Sequence, residues 1–353
     1  MGYEIDFLQV GESNGDAICI RYGDEIRGYA IHIVDGGYTN TGQMIIDHLD
    51  SHYGAPHYID HVILSHADQD HAAGLIAVMR HYHVGALWMN RPWLYAAEII
   101  GNFHGNFTAA GLQRAIRDEY PLLAELEDMA IANRTPVYEV FAGQRIGPFT
   151  VLSPTRDRYL ELIPELDRTP PSYATPLKGA FHRLFETAKE LLQWFEDWNN
   201  EQLSENPPAV SASNETSVVQ LAEIEGNKIL LTADAGPIAL TDAATVAYQY
   251  GMLAPPQLIQ IPHHGSRRNV TPTVLNAWLG YPVQEGVFRG TAFCSVGSKQ
   301  THYPRHRVKN AFTRRGYGVS PTRQAWNRHY KDMPKRPGEG PLTHEPFSYY
   351  YEE

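Results

Sequence analysis

Cysteine is nearly absent: the 353 residues include only Cys19 and Cys294. No disulfide framework can be built from them, so a reducing, cytoplasmic setting is the expectation. Cys19, inside the apolar run AICIRY, reads as a buried small hydrophobe. No apolar run approaches the ~18 residues of a membrane-spanning helix. The opening MGYEIDFLQV has neither the basic nor the apolar segment of a secretory signal. Asp6 stands where a myristoylation signal needs Ser or Thr. Internal repeats and low-complexity segments are also missing. A hydrophobic content of 43% with 11% aromatics excludes a disordered or fibrous chain. The length allows one large domain or two small ones.

Positive charge is scarce, with 29 Lys and Arg against 40 Asp and Glu, a formal charge of −11. Its distribution is uneven. Residues 298–336 carry eleven basic side chains and one acid, which makes that stretch +10, while residues 1–297 sum to −17. Such asymmetry points to a polyanionic partner, or to ion pairing of the strip with the acidic remainder.

Residues 3–10, 16–22 and YAIHIV read as strands, the last ending at Asp35-Gly36-Gly37. TGQMIIDHLDSHYG has helical spacing, with Gly54 as its stop. HVILS is a short buried strand, and AAGLIAVMRHYHV reads as a helix. Helical spacing is also predicted over 108–133 and 181–203. VYEVF and FTVLSP read as strands, SVVQLAEI and KILLTADAG as a hairpin around Glu225-Gly226-Asn227, and LIQIPHHGS as a strand stopping at a histidine pair. The repeated order of strand, polar loop and helix predicts an α/β layered fold.

Chemistry concentrates at the strand ends. His66-Ala67-Asp68-Gln69-Asp70-His71 places four potential metal ligands in six residues after an apolar strand. Imidazole suits zinc, iron and manganese, and carboxylates draw the preference toward harder ions. Asp234 ends KILLTAD, and its carboxylate is suited to bridging two ions. His263 and His264 end LIQIPHH, followed by Gly265, which lets the chain turn closely.

HADQDH resembles the HxHxDH signature of the metallo-β-lactamase fold, with Asp68 at the middle histidine. This variant is similar to the soluble hydrolase domain of the competence (DNA-uptake) protein ComEC and its free-standing relatives. FLQVGESNGDAICI, IHIVDGG, SNETSVVQL, KILLTADAG, IQIPHHGS and SVGSKQTHYP resemble further segments of that family in its order. The resemblance implies a four-layer αββα sandwich with helical insertions and a metal site along one edge. It divides the chain into a single domain over 1–320, with insertions at about 86–135 and 155–210 that shape the substrate cleft, and a C-terminal extension over 321–353.

The resemblance also implies two divalent ions, Zn or Mn. His66 and Asp68 would hold one; Asp70, His71 and His263 the other; Asp234 would bridge. Asp35 and Asn214 would support ligands by hydrogen bonds. Asp70 is a catalytic candidate as well as a ligand, and His264 and His302 are candidates for protonating the leaving group. The usual histidine between the hexamer and the bridging Asp is missing, and residues 210–217 offer Asn214, Glu215 and Ser217 instead. The family's last His-Pro is displaced, with His302 or His306 to take its place. Arg267, Arg268, Lys299, Arg305 and His306 are candidates for binding substrate.

The first functional expectation is a metal-dependent phosphodiesterase acting on nucleic acid, single-stranded DNA above all. In it the basic strip neutralises phosphates, and Tyr303, Tyr317, Trp326 and Tyr330 stack on bases. The alternatives are a hydrolase of a small phosphoester, cyclic nucleotide or lactone, and a non-catalytic binding scaffold. No membrane partner is expected, and oligomeric state is not legible.

Overall fold

The computed structural model describes residues 2–173 and 193–352. Its strands in chain order are β1 (Gly2–Phe7), β2 (Ala17–Asp24), β3 (Gly28–Gly36), β4 (Tyr58–Ile63), β5 (His83–Trp88), β6 (Val137–Tyr138), β7 (Arg145–Ile146) and β8 (Phe149–Ser153). They continue with β9 (Gln193–Phe195), β10 (Val219–Ile224), β11 (Asn227–Leu231), β12 (Leu258–Gln260), β13 (Gly290–Cys294), β14 (Tyr317–Pro321), β15 (Asn327–Lys331) and β16 (Tyr350–Glu352). One seven-stranded sheet has the order β15-β1-β2-β3-β4-β5-β6 and a second the order β14-β13-β12-β11-β10-β8-β7. In both, the antiparallel half gives way to parallel pairing, between β3 and β4 in the first and between β11 and β12 in the second.

Three apolar cores separate four layers. Ile5, Phe7, Ile18 and Ile20 of the first sheet meet Phe149, Ile229, Leu231 and Phe293 of the second. The outer face of the first sheet packs Ile33, Val62 and Leu87 on helical residues such as Ile45, Leu75 and Leu126. On the second sheet's outer face, Leu230, Ile259 and Ala292 pack on Leu240, Trp278 and Phe312. Each buried Leu, Ile or Phe contributes roughly 1.5–3 kcal/mol against exposure. The αββα sandwich is therefore the fold, as the sequence led us to expect.

Several elements differ from the sequence reading. AAGLIAVMRHYHV is a helix only over Leu75–His81, and His83 and Val84 already lie in β5. Gly74, just before it, lets β3 approach closely: a Cβ there would sit 1.9 Å from the Gly36 carbonyl oxygen. Residues 108–133 form two helices, Ala109–Glu119 and Pro121–Ala132, because Pro121 has no N–H to continue the first. VYEVF contributes only Val137 and Tyr138 to the sheet. The helix predicted over 181–203 lies outside the described residues up to 192. Beyond that point it is not helical: β9 pairs with β16, and the Trp198 indole donates to the Val283 carbonyl at 2.8 Å.

The chain after residue 320 is tied into the body. β15 pairs with β1 at the edge of the first sheet, and β16 pairs with β9. The basic strip supplies much of this attachment. Arg328 and Arg336 reach the buried Glu4 carboxylate, and Arg336 also donates to Asp6 at 2.8 Å. Arg314 pairs with buried Glu196 and Arg315 with Glu201, while Arg323 and Lys309 share Glu345. Of the four aromatics proposed to stack on bases, Tyr317 is buried, and Trp326 and Tyr330 lie under Arg336 and Arg328. No helix among the described residues is long and apolar enough to cross a membrane.

Burial alone would raise the Asp6 carboxyl, but the hydrogen bond from His48 at 2.9 Å and the Arg336 guanidinium outweigh it and hold it below its ordinary value. A lowered carboxyl contributes stability above its unfolded value, about 3.9, and that stability is lost as pH falls through the still lower folded value. Urea unfolding of Asp6→Asn at about pH 6 and about pH 3 should show its deficit against wild type shrinking in acid. Arg336→Ala should cost about 3 kcal/mol near neutral pH, because two buried carboxylates lose a partner.

Candidate metal centre

The site lies where β3, β4, β11 and β12 end, with the loop before β2 closing it. His66 and Asp68 follow β4, and Asp70 and His71 lie on the short helix Gln69–Ala72. Asp35 ends β3, Asp234 follows β11, and His263 and His264 follow β12. The backbone here is unusual. Asp35, Ala233, His263 and His264 all have positive φ, at 58°, 45°, 46° and 56°. Each such residue costs on the order of 1–3 kcal/mol and persists only where its surroundings enforce it. Gly265 continues the turn at φ 81°, and a Cβ there would meet Pro304 at 2.3 Å.

The four imidazoles are oriented alike. His71 Nδ1 donates to Asp35 at 2.8 Å, and His264 Nδ1 to the Ser295 carbonyl at 2.9 Å. The Ser65 hydroxyl donates to Asp35, so at 2.9 Å from His66 Nδ1 it acts as that nitrogen's acceptor. The Asn269 amide donates to the carbonyls of Asp234 and Ala235, which leaves its oxygen, 3.0 Å from His263 Nδ1, to accept. Each Nδ1 thus has an acceptor behind it, and each Nε2 is turned into the cluster.

Those Nε2 atoms converge on Asp234. Its Oδ1 lies 3.5 Å from His71 Nε2 and 3.8 Å from His264 Nε2. Its Oδ2 lies 3.5 Å from His263 Nε2 and 3.9 Å from His66 Nε2. Asp68 Oδ2 adds a contact to His66 at 3.5 Å, and Asp70 Oδ2 is 3.7 Å from His264 and 3.9 Å from His71.

Among the described residues, His66 Nε2, His71 Nε2, His264 Nε2, Asp234 Oδ1 and Asp16 Oδ1 are buried polar atoms without a hydrogen-bond partner. Unpaired buried groups of this kind are costly. Ligand atoms ~2.1 Å from a shared tetrahedral ion stand ~3.4 Å apart, close to these spacings. The donor set therefore fits divalent metal.

Protonation follows the same geometry. Burial would raise Asp234, but the surrounding imidazoles of His263, His71 and His264 hold it well below the ordinary carboxylate range. Burial would lower His264, yet Asp234, Asp70 and Asp16 push it up to about 9. His71 is raised for the same reason, facing Asp234, Asp35 and Asp70.

The expected residues fall into three groups. His66, Asp68, Asp70, His71, Asp234, His263 and His264 come together, with Asp35 behind His71 and the Asn214 amide 3.0 Å from His263 Nδ1. The histidine pair is placed differently from expectation. His264, not His263, stands with Asp70 and His71, because the left-handed turn sends the two side chains to opposite oxygens of Asp234. With Nδ1 on the Ser295 carbonyl and Nε2 facing Asp70 and Asp234, His264 is a ligand candidate rather than a free proton donor.

The third group stays outside. His302 is exposed, Lys299 pairs with Glu12 at 2.7 Å, and His306 bonds Ser348 and stacks on Tyr351. Arg267 and Arg268 are exposed on the turn after His264, and Arg305 lies over the Tyr303 ring with its backbone N–H on the Gly265 carbonyl. Glu215 accepts from the Ala239 N–H in the helix Pro237–Gln249 and is turned away from the cluster.

Sequence reasoning missed four contributors. Ser65 and Asn269 are the acceptors for His66 and His263, and Ser213 donates to Asp68 Oδ1 at 2.7 Å. Buried Asp16 lies 3.8 Å from His71 Nδ1 and takes a hydrogen bond from Gln260. Only Asp16 carried a signal, as part of the Gly15-Asp16-Ala17 segment. Beside His66, a cavity of about 20 Å³ lined by Tyr120, Leu123, Tyr159 and Leu166 has room for a single water. It is too small to be the substrate cleft.

Residues 22–151 match the family model described as the metallo-beta-lactamase superfamily. Among solved structures, a Thermotoga maritima protein assigned to the metallo-beta-lactamases is similar at 9% identity, covering 73% of this chain and 95% of that one with a TM-score of 0.37. The hydrolase AbOPH of the beta lactamase superfamily is 11% identical, covering 63% of this chain and 56% of its own, with a TM-score of 0.31. A variant of the β-hydroxylase CmlA is 14% identical, covering 92% and 53%, with a TM-score of 0.39. The chain thus spans just over half the length of the last two. No curated protein matches.

Asp35→Ala should weaken metal binding by about 10–100-fold, since it frees the His71 ring and removes the Ser65 anchor. Calorimetric titration of the metal-free variant with Mn²⁺ measures this, and unchanged affinity would remove Asp35 from the support of the site.

Proposed function

We propose that this protein is a metal-dependent hydrolase of phosphoesters that acts on a compact phosphorylated substrate. The observation that carries the reading is the convergence of four imidazole Nε2 atoms and three carboxylates, with exposed Arg267 and Arg268 on the turn that follows His264. His66, Asp68, Asp70, His71, Asp234, His263 and His264 would hold two divalent ions, Zn or Mn. When bound, such ions polarise the ester and lower the pKa of water toward neutrality. Arg267, Arg268 and Arg305 would hold the phosphoryl oxygens, a task for which the guanidinium fork is suited. The carboxylates of Asp68 and Asp70 are the partly exposed acids of the cluster.

A long nucleic acid finds less support than the sequence suggested. Seven of the eleven basic residues in 298–336 are paired with carboxylates of the chain itself. A single-stranded nucleic acid is the second reading, favoured by Tyr303 under Arg305 at the rim.

Hydrolysis of bis(p-nitrophenyl) phosphate should require Mn²⁺ or Zn²⁺ and fall ~10³-fold or more in Asp70→Ala. Arg267→Gln with Arg268→Gln should raise KM about tenfold with little change in kcat, equivalent to ~1.4 kcal/mol of ground-state binding. Labelled single-stranded DNA tested alongside should be cut poorly, with weak salt dependence. Efficient cleavage that falls steeply with salt would favour the nuclease reading. Failure on every phosphoester under both metals would contradict the proposal.

A further inference from the structure

The residues of the cluster divide unequally between two positions, and the division bears on the histidine missing from residues 210–217. Asp234 is the divider. Its Oδ1 faces His71 and His264, both of which also face Asp70. Its Oδ2 faces His66, which also faces Asp68. The first set has three imidazole or carboxylate partners around Asp234, while the second has only His66 and Asp68 until His263 is added.

We infer that His263 replaces the missing histidine, completing one metal position with His66, Asp68 and Asp234 Oδ2, while its neighbour His264 completes the other with Asp70, His71 and Asp234 Oδ1. This rests on the metal-dependent reading above. Four independent features support it. His263 Nε2 approaches the same carboxylate oxygen as His66 Nε2, at 3.5 Å against 3.9 Å. The ring is fixed from behind, since Nδ1 lies 3.0 Å from both the Asn269 oxygen and the Asn214 amide nitrogen, and Asn269 is itself anchored by donating to the Asp234 and Ala235 carbonyls.

The backbone provides the third feature. Two consecutive non-glycine residues in the left-handed region, His263 at φ 46°, ψ 51° and His264 at φ 56°, ψ 21°, aim adjacent side chains at opposite oxygens of one carboxylate. An extended chain would send them to opposite faces of the strand. A side chain wanted only as a loop residue would not need that conformation.

Exposure is the fourth. The side chains of His263 and Asp68 are 37% and 41% exposed, whereas those of His71 and His264 are 0% and 3%. The two most exposed ligand candidates therefore both belong to the His263 position, as suits a metal position that also receives substrate. Ser213 orients Asp68 from the segment where the missing histidine would have stood, so that segment supports the position without supplying a ligand.

The test is Mn²⁺ anomalous scattering from crystals of the wild type, His263→Ala and His264→Ala. The wild type should show two peaks, one on each side of Asp234. His263→Ala should lose the peak beside His66 and Asp68, at least tenfold in occupancy, and keep the one beside Asp70 and His71; His264→Ala should show the reverse. Retention of both peaks in His263→Ala, or loss of the peak beside Asp70, would overturn the assignment. No peak in the wild type would instead overturn the metal-dependent reading itself. If His263→Ala does not fold, the size-matched His263→Gln serves. In calorimetric titration with Mn²⁺ its stoichiometry should drop from two to one with the remaining affinity within threefold of wild type, and two retained sites would contradict the assignment.

Discussion

One buried carboxylate organises this molecule's chemistry. Asp234 sits at the end of a central strand of the second sheet, 3% exposed, with an imidazole nitrogen within 3.9 Å on each of four sides. A carboxylate taken out of water must find compensating charge or be neutralised. Four histidines from the ends of β4 and β12 meet that requirement, and each is locked by an acceptor on its far nitrogen. That locking determines much of the local sequence: Asp35 and Ser65 behind His71 and His66, Asn269 behind His263, the Ser295 carbonyl behind His264.

The sandwich makes the arrangement possible. Switching from antiparallel to parallel pairing midway through each sheet brings the C-terminal ends of β3, β4, β11 and β12 to one edge. Loops leaving parallel strand ends are the usual place for ligand-binding groups in α/β folds. Backbone strain collects at the same edge. Four of the eight non-glycine residues with positive φ among the described residues, Asp35, Ala233, His263 and His264, belong to the centre. Stability lost there is offset by the apolar cores on either face of both sheets.

Much of this was legible in the sequence because it is local. Alternating apolar runs marked the strands, and clustered His and Asp after HVILS and LIQIP marked the site. What was not legible depends on atoms far apart in the chain. That His264 rather than His263 meets Asp70 follows from a left-handed turn that the local sequence does not fix. That the basic strip is spent on Glu4, Asp6, Glu196, Glu201 and Glu345 follows from packing across as many as 332 residues of sequence, as between Glu4 and Arg336. A +10 stretch of sequence is therefore no guide to the charge its surface presents.

The central proposal is that Asp234 would serve two metal ions, one facing each of its oxygens. Electron paramagnetic resonance of the wild-type protein loaded with excess Mn²⁺, then freed of unbound metal, tests it most directly. The account predicts two bound ions per chain and the broadened multiline spectrum of an exchange-coupled pair. A single bound ion with the simple six-line signal of isolated Mn²⁺ would contradict it.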